Sequence, residues 1–272
     1  MLPRPPWVTT AFSDLKPQSA FAAAVKRDRM VVLAGIVVLI ALAWAYTVRI
    51  ASDPASISEA MAMPIVMPWG LADFGFMFVM WMVMMVAMML PSATPMVLLY
   101  GRVREKRESK GRPYAPTVAF LSGYLLVWAG FSLFATGLNW GLHTGEVLSS
   151  MMGHATPVLG GVLLIAAGIF QWTPLKEACL NHCRSPIGFL MANWREGTWG
   201  ASMMGLHHGA YCLGCCWMLM ALLFVLGVMN LPWVAVLTIV VLAEKILPKG
   251  EVLSRFLGVL LALWGGWLAI AS

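Results

Sequence analysis

Long apolar runs constrain this chain more than any other feature of its sequence. Residues 30–48 read MVVLAGIVVLIALAWAYTV up to Arg49, and residues 74–99 form a second uncharged run. About 20 consecutive apolar residues are enough for a helix to cross the hydrocarbon core of a bilayer. Such runs predict membrane-spanning helices, because a helix satisfies its own backbone hydrogen bonds where lipid offers none.

The composition excludes an ordinary soluble domain. The chain of 272 residues is 60% hydrophobic and 11% charged, whereas about a quarter of the residues in soluble domains are charged. We therefore predict an all-α, polytopic helical membrane protein with about seven transmembrane helices, surrounded by the lipid bilayer. The predicted spans are 30–48, 74–99, 116–138, 156–173, 203–228, 232–247 and 252–271.

The distribution of Lys and Arg predicts the orientation of the spans. Loops on the cytoplasmic side of a membrane carry an excess of these residues. The connections 101–115, 174–199 and 248–251 hold most of them, whereas 49–73 and 139–155 hold Arg49 alone. This pattern favours an N-terminus inside and a C-terminus outside. It also explains the net charge of +6 without nucleic acid as a partner.

The first 29 residues differ in composition from the rest. They contain several prolines, and the basic residues Lys26, Arg27 and Arg29 stand directly before the first apolar run. We predict a cytoplasmic Pro-rich tail with a basic flank over 1–29, and a transmembrane helical bundle over 30–272.

The segment 206–220, LHHGAYCLGCCWMLM, concentrates histidine and cysteine inside a predicted span. At 100° per residue, Cys212, Cys215, Cys216 and His208 share one stripe of the helix, and His207 points away from it. All five cysteines lie between 179 and 216, on the inner side or within the bilayer, where thiols stay reduced. This placement indicates metal binding or redox chemistry rather than structural disulfides.

A second group, CLNHC at 179–183, lies near the inner end of the fourth span. Cys179 and Cys183 are four residues apart and so share a helix face, with His182 between them. If the fifth span enters from the inside, His208 and Cys212 lie at a similar depth. We expect the two groups to converge.

Thiolate, thioether and imidazole groups together select soft ions, so Cu(I) fits best and zinc second. Residues 61–96 hold 11 of the 21 methionines, and methionine is a good ligand for Cu(I) but a poor one for zinc. The candidate metal ligands are Cys179, Cys183, His208, Cys212, Cys215 and Cys216, with His182, His207, Met80, Met84 and Met88 as additional candidates.

Two ionisable residues lie near the inner end of the sixth predicted span. Lys245 can extend its ammonium to the membrane interface, and Glu244 can pair with Lys245 or with Arg184. Alternatively, Glu244 balances a bound cation or accepts a proton.

Four stretches together resemble a bacterial domain-of-unknown-function family described as predicted metal-binding integral membrane proteins. They read MMLPSATPM, PLKEACLNHCRSP, HHGAYCLGCCW and GVMNLPWVAVLTIVVLAEK, and the resemblance covers roughly residues 70 to 270. It implies a multi-pass helical protein of a bacterial inner membrane, whose metal ligands fall on Cys179, Cys183, His208, Cys212, Cys215 and Cys216. It implies no reaction.

The leading interpretation is a protein that binds Cu(I) for copper transport, for chaperoning, or for insertion into a metalloenzyme. Its partners would be the soft metal ion and a metalloprotein or membrane complex. One alternative is an enzyme, a thiol–disulfide oxidoreductase coupled to a quinone, because Cys212 and Cys215 form a C-x2-C motif. Another is a haem-anchoring subunit of a respiratory complex. Haem is disfavoured because the adjacent His207 and His208 point apart.

Overall fold

A computed structural model describes residues 15–52, 70–111, 115–144, 157–228 and 230–271, and within these ranges it is helical with no strand. The helices are α1 (Leu15–Ser52), α2 (Leu71–Glu108), α3 (Thr117–Thr144), α4 (Pro157–Phe170), α5 (Pro174–Arg184), α6 (Pro186–Asn193), α7 (Gly197–Ala221), α8 (Leu223–Leu226), α9 (Leu231–Ile246) and α10 (Gly250–Ala271). The prediction of an all-α polytopic fold is confirmed.

Several of these helices have the length and hydropathy of membrane spans. Among the described residues, five qualify: Met30–Ser52, Leu71–Glu108, Thr117–Leu142, Gly197–Leu226 and Gly250–Ala271. A sixth would be α4 with α5, which meet at an angle of 63°. The connection predicted over 174–199 therefore holds helices α5 and α6. The remaining predicted span corresponds to α9, which has 16 residues.

The first helix extends further towards the N-terminus than the apolar run does. It begins at Leu15, so the predicted division between tail and bundle falls inside α1. The first 14 residues lie outside the described part of the chain.

A proline in the middle of helix α2 removes one of the helix's backbone hydrogen bonds. Pro91 lacks an amide hydrogen, so the carbonyl four residues earlier, that of Ala87, loses its normal helical partner. The indole nitrogen of Trp44 in α1 donates to this carbonyl at 3.1 Å. A buried carbonyl thus keeps a hydrogen bond, and α1 is fixed against α2.

Close approach of α3 to α7 depends on glycine. A Cβ atom on Gly205 would collide with the backbone carbonyl of Phe120, and one on Gly123 would collide with that of Ser202. Small residues let helices in a membrane approach until their backbones touch. The contact sets the distance between the α7 cysteines and the side chains of α3.

Candidate metal centre

Helix α7 turns its sulfur-rich stripe into the bundle. Cys212, Cys215 and Cys216 are each 1% exposed, and His208 is 3% exposed. The thiols of Cys215 and Cys216 donate to the carbonyl of Cys212 at 3.1 and 2.9 Å. His207 is half-buried, consistent with its different direction. All five cysteines are free thiols.

Helix α5 adds a thiol from the side. The Cys183 side chain lies next to those of Cys212 and Cys215. Cys179, one turn earlier, packs on Gly214 of α7, where an added Cβ would lie 2.8 Å from the Cys179 sulfur. Because Gly214 has no side chain, α5 can approach α7 closely enough to bring Cys183 to the α7 thiols.

Helix α2 contributes a thioether at the proline-loosened stretch. The Cys216 sulfur lies 3.8 Å from the Met89 sulfur. The Met89 carbonyl accepts hydrogen bonds from the Ser92 hydroxyl at 2.8 Å and the Tyr124 hydroxyl at 3.2 Å. These bonds fix the backbone beside the thioether. We call Cys183, Cys212, Cys215, Cys216 and Met89 the sulfur cluster.

A lysine and a tyrosine complete the surroundings of Cys212. The Lys245 ammonium donates to the Cys212 sulfur at 3.0 Å and to the Ser92 hydroxyl at 3.1 Å. The Tyr124 hydroxyl lies 3.2 Å from the same sulfur. The Lys245 ammonium also lies near the other three thiols of the cluster. An ammonium so placed can balance the negative charge of a thiolate.

The expectation that Lys245 reaches the membrane interface is wrong, because its ammonium points inward to Cys212. The expected partners of Glu244 are also wrong. Its carboxylate accepts two hydrogen bonds from Lys176, at 2.9 and 2.8 Å, and one from Ser254 at 2.8 Å. Arg184 instead pairs with Glu251 at 3.2 Å. The ammonium of Lys176 in α5 therefore pairs with the Glu244 carboxylate, and the Lys245 ammonium lies against the thiols instead.

The other candidate ligands named from the sequence are not members of the sulfur cluster. His182 is exposed; its ring stacks on Tyr211 at 4.2 Å, and its Nδ1 lies 2.8 Å from the Ala178 carbonyl. The His208 ring packs among Phe120, Tyr124 and Phe189, and its buried Nδ1 has no hydrogen-bond partner. Met80, Met84 and Met88 are fully buried in the same core as the cysteines.

The cluster is not a preformed polydentate site. In the part of the chain that the structure describes, no three His, Cys, Asp or Glu side chains are arranged to hold a metal ion. The thiols are neighbours held partly by hydrogen bonds to protein groups. A metal ion would have to displace these bonds to bind.

Met89, Tyr124 and Ser92 lie at the site but are not predicted from the sequence. At 100° per residue, Met89 lies about 140° from the centre of the stripe formed by Met80, Met84 and Met88, so that stripe does not include it. Its signal was its position two residues before Pro91. Tyr124 has no such signal, because only the packing of α3 on α7 brings it to Cys212.

These features define a class: an all-α polytopic protein with thiols and a thioether buried beside an ammonium. The sequence profile of the PpoB2 family, described as a copper chaperone, matches residues 78–268. The chain belongs to this copper chaperone family. The match supports the expected association with copper and agrees in extent with the resemblance over roughly 70 to 270. No curated protein and no solved structure matched the chain.

Proposed function

We propose that this chain is a multi-pass membrane copper chaperone, which binds Cu(I) at the sulfur cluster and delivers it to a metalloprotein. We place it in a bacterial inner membrane with its N-terminus inside. The observation that carries the proposal is the meeting of four thiols and a thioether from α2, α5 and α7. Thiolate and thioether sulfur are the ligands that select Cu(I).

The charges around the cluster favour a monovalent ion. Cu(I) bound by two thiolates carries a net charge of −1, and the nearby Lys245 ammonium makes the assembly neutral. Neutrality matters because an uncompensated charge inside a bilayer is costly. The proposed primary ligands are Cys212 and Cys216, with Cys183, Cys215 and Met89 available for exchange.

Delivery to a partner needs an accessible ligand. Cys179 and Cys183 are half-buried, unlike the three cysteines of α7. They lie on the short helix α5, whose last turn contains Arg184. We propose that copper leaves through these two thiols, by ligand exchange with a partner metalloprotein. His208, beside Tyr124, is proposed as a reserve ligand because its buried Nδ1 is unpartnered.

The test is the copper content of protein purified without oxygen. We expect native protein to retain copper and the double variant Cys212→Ser/Cys216→Ser to lose most of it. The matched control is His182→Asn, which changes a ring that is stacked on Tyr211 and should leave the copper content unchanged. Zinc is measured in the same samples. Native protein without copper, or an undiminished content in the double variant, would contradict the proposal.

The same samples distinguish the thiol–disulfide oxidoreductase. That activity predicts a reversible disulfide between Cys212 and Cys215 in protein free of metal, with a defined reduction potential. The chaperone requires reduced thiols that copper protects from alkylation. Alkylation of both thiols in the presence of bound copper would count against the chaperone.

A further inference from the structure

Helix α2 carries a continuous line of buried thioethers that begins outside the sulfur cluster and ends at its member Met89. Six methionines within thirteen residues are at most 2% exposed: Met77, Met80, Met84, Met85, Met88 and Met89. Steps of three or four residues connect all six in the order Met77, Met80, Met84, Met88, Met85 and Met89, so each step joins side chains that are neighbours on the helix surface. From Met77 to Met89 the helix rises about 18 Å at 1.5 Å per residue. This is more than half of a hydrocarbon core of about 30 Å.

One end of the line is continuous with the proposed copper site. Met89 is the last of the six, and its sulfur lies 3.8 Å from the sulfur of Cys216. An ion held by Met89 is therefore within one ligand exchange of a thiol.

The other end holds an unpartnered polar atom. The Asn139 side-chain nitrogen donates to the Met77 sulfur at 3.6 Å. Its Oδ1 is buried without a hydrogen-bond partner, in a residue that is 0% exposed. Burying a carbonyl oxygen without a partner is costly, and such an oxygen can coordinate a cation.

We propose that Met77, Met80, Met84, Met85, Met88 and Met89 form a path of weak Cu(I) sites, which connects Asn139 to the sulfur cluster. The inference rests on the proposed copper function and adds a route for the ion. Neutral thioethers bind Cu(I) because it is soft. They hold it less firmly than thiolates do, and conduction requires sites that an ion can leave.

Each step along the path is a ligand exchange. Cu(I) forms a bond to the next thioether as it loses the bond to the previous one, and its charge and oxidation state do not change. At Cys216 the thiol proton is released to water as the copper–thiolate bond forms. The concentration difference of Cu(I) across the membrane supplies the driving force.

The experiment measures entry of Cu(I) into vesicles that contain the full chain. The vesicles enclose an impermeant Cu(I)-binding dye, ascorbate keeps the external copper reduced, and an ionophore for potassium removes the membrane potential. We expect the triple variant Met80→Leu/Met84→Leu/Met88→Leu to transport at least tenfold more slowly than native protein. Leucine has nearly the same volume, so the core remains filled.

The matched control is Met96→Leu. Met96 lies on the same helix and is 3% exposed, but it packs in a different core cluster, so this variant should transport as the native protein does. Copper content in detergent is measured for every variant, since a folded triple variant keeps its thiols and should bind as much copper as the native protein. If the triple variant fails to fold, the single variant Met84→Leu replaces it, with an expected slowing of about threefold.

The path would be overturned if the folded Leu variants transported Cu(I) as fast as the native protein does. It would also be overturned if the native protein transported Cu(I) no faster than empty vesicles do. Failure of the proposed function has a different signature. In that case the native protein would lack copper in detergent, whatever the vesicles show.

Discussion

Lys245 illustrates how a single residue can set the charge of a buried metal site. Its ammonium lies 3.0 Å from the buried Cys212 sulfur, whereas the ammonium of a lysine at the bilayer interface would point to water. The neighbouring Glu244 does not neutralise it, because Lys176 and Ser254 already occupy that carboxylate. The positive charge of Lys245 is thus directed to the thiols.

We expect Lys245→Met to lower the affinity for Cu(I) by roughly 10- to 100-fold, the usual effect of removing a partner of metal ligands. Without the ammonium, copper bound by two thiolates leaves one negative charge in the bundle. Competition with a Cu(I) chelator of known affinity measures the change. The matched control is Lys249→Met, an exposed lysine four residues later, which should have native affinity. An unchanged or higher affinity in Lys245→Met would rule out this role.

The sequence could predict which cysteines of α7 face the interior of the bundle, but not which side chains of other helices they meet there. Helical periodicity correctly predicted that Cys212, Cys215 and Cys216 share one face, because the direction of a side chain from its helix depends only on 3.6 residues per turn. It could not predict the inward direction of Lys245, since this depends on Lys176 reaching Glu244 from a different helix. Similarly, apolar runs predicted the spans, but within the connection 174–199 the sequence indicated a helical turn only at 179–183. The full extent of α5 and α6 could not be predicted, because the mixed polarity of this connection resembles a loop.

At the scale of one element, α2 combines a proline with a site that requires a fixed backbone. Pro91 frees the Ala87 carbonyl, and the Trp44 indole takes the place of the missing amide. Ser92, the residue directly after Pro91, is hydrogen-bonded to Lys245. Helix α2 can therefore still hold Met89 and Ser92 in place, because Trp44 of α1 replaces the lost hydrogen bond and Tyr124 of α3 adds one to the Met89 carbonyl.

A double-mutant cycle tests this compensation. We expect Trp44→Phe to lower the free energy of unfolding by about 1–3 kcal/mol, the effect of leaving a buried acceptor unpaired. In the background of Pro91→Ala the restored amide can bond to Ala87, so the same change should be less destabilising. The difference between the two backgrounds should be about 0.5–3 kcal/mol. Denaturant unfolding in detergent gives both values, and equal losses in the two backgrounds would refute the compensation.

At the scale of the whole molecule, the site exists only where several helices meet. The cysteines of α7 meet Tyr124 because α3 and α7 touch along their glycines, and they meet Cys183 because α5 lies on Gly214. No single element carries a complete site. The copper site should therefore respond to changes in helix packing that alter no ligand.

Gly205→Ala provides that test at the contact of α3 with α7. The new Cβ would collide with the backbone carbonyl of Phe120, which cannot rotate away, so the helices must separate at a cost of about 1–3 kcal/mol. We expect weaker retention of copper as Tyr124 moves away from Cys212. The matched control is Gly130→Ala in α3, where an added Cβ meets nothing within 4 Å. It should keep native copper content and gain a little stability, because alanine favours a helix by about 1 kcal/mol over glycine. Copper content and thermal unfolding of both variants decide the matter. If Gly205→Ala is destabilised yet keeps all its copper, the α3–α7 contact does not position the site.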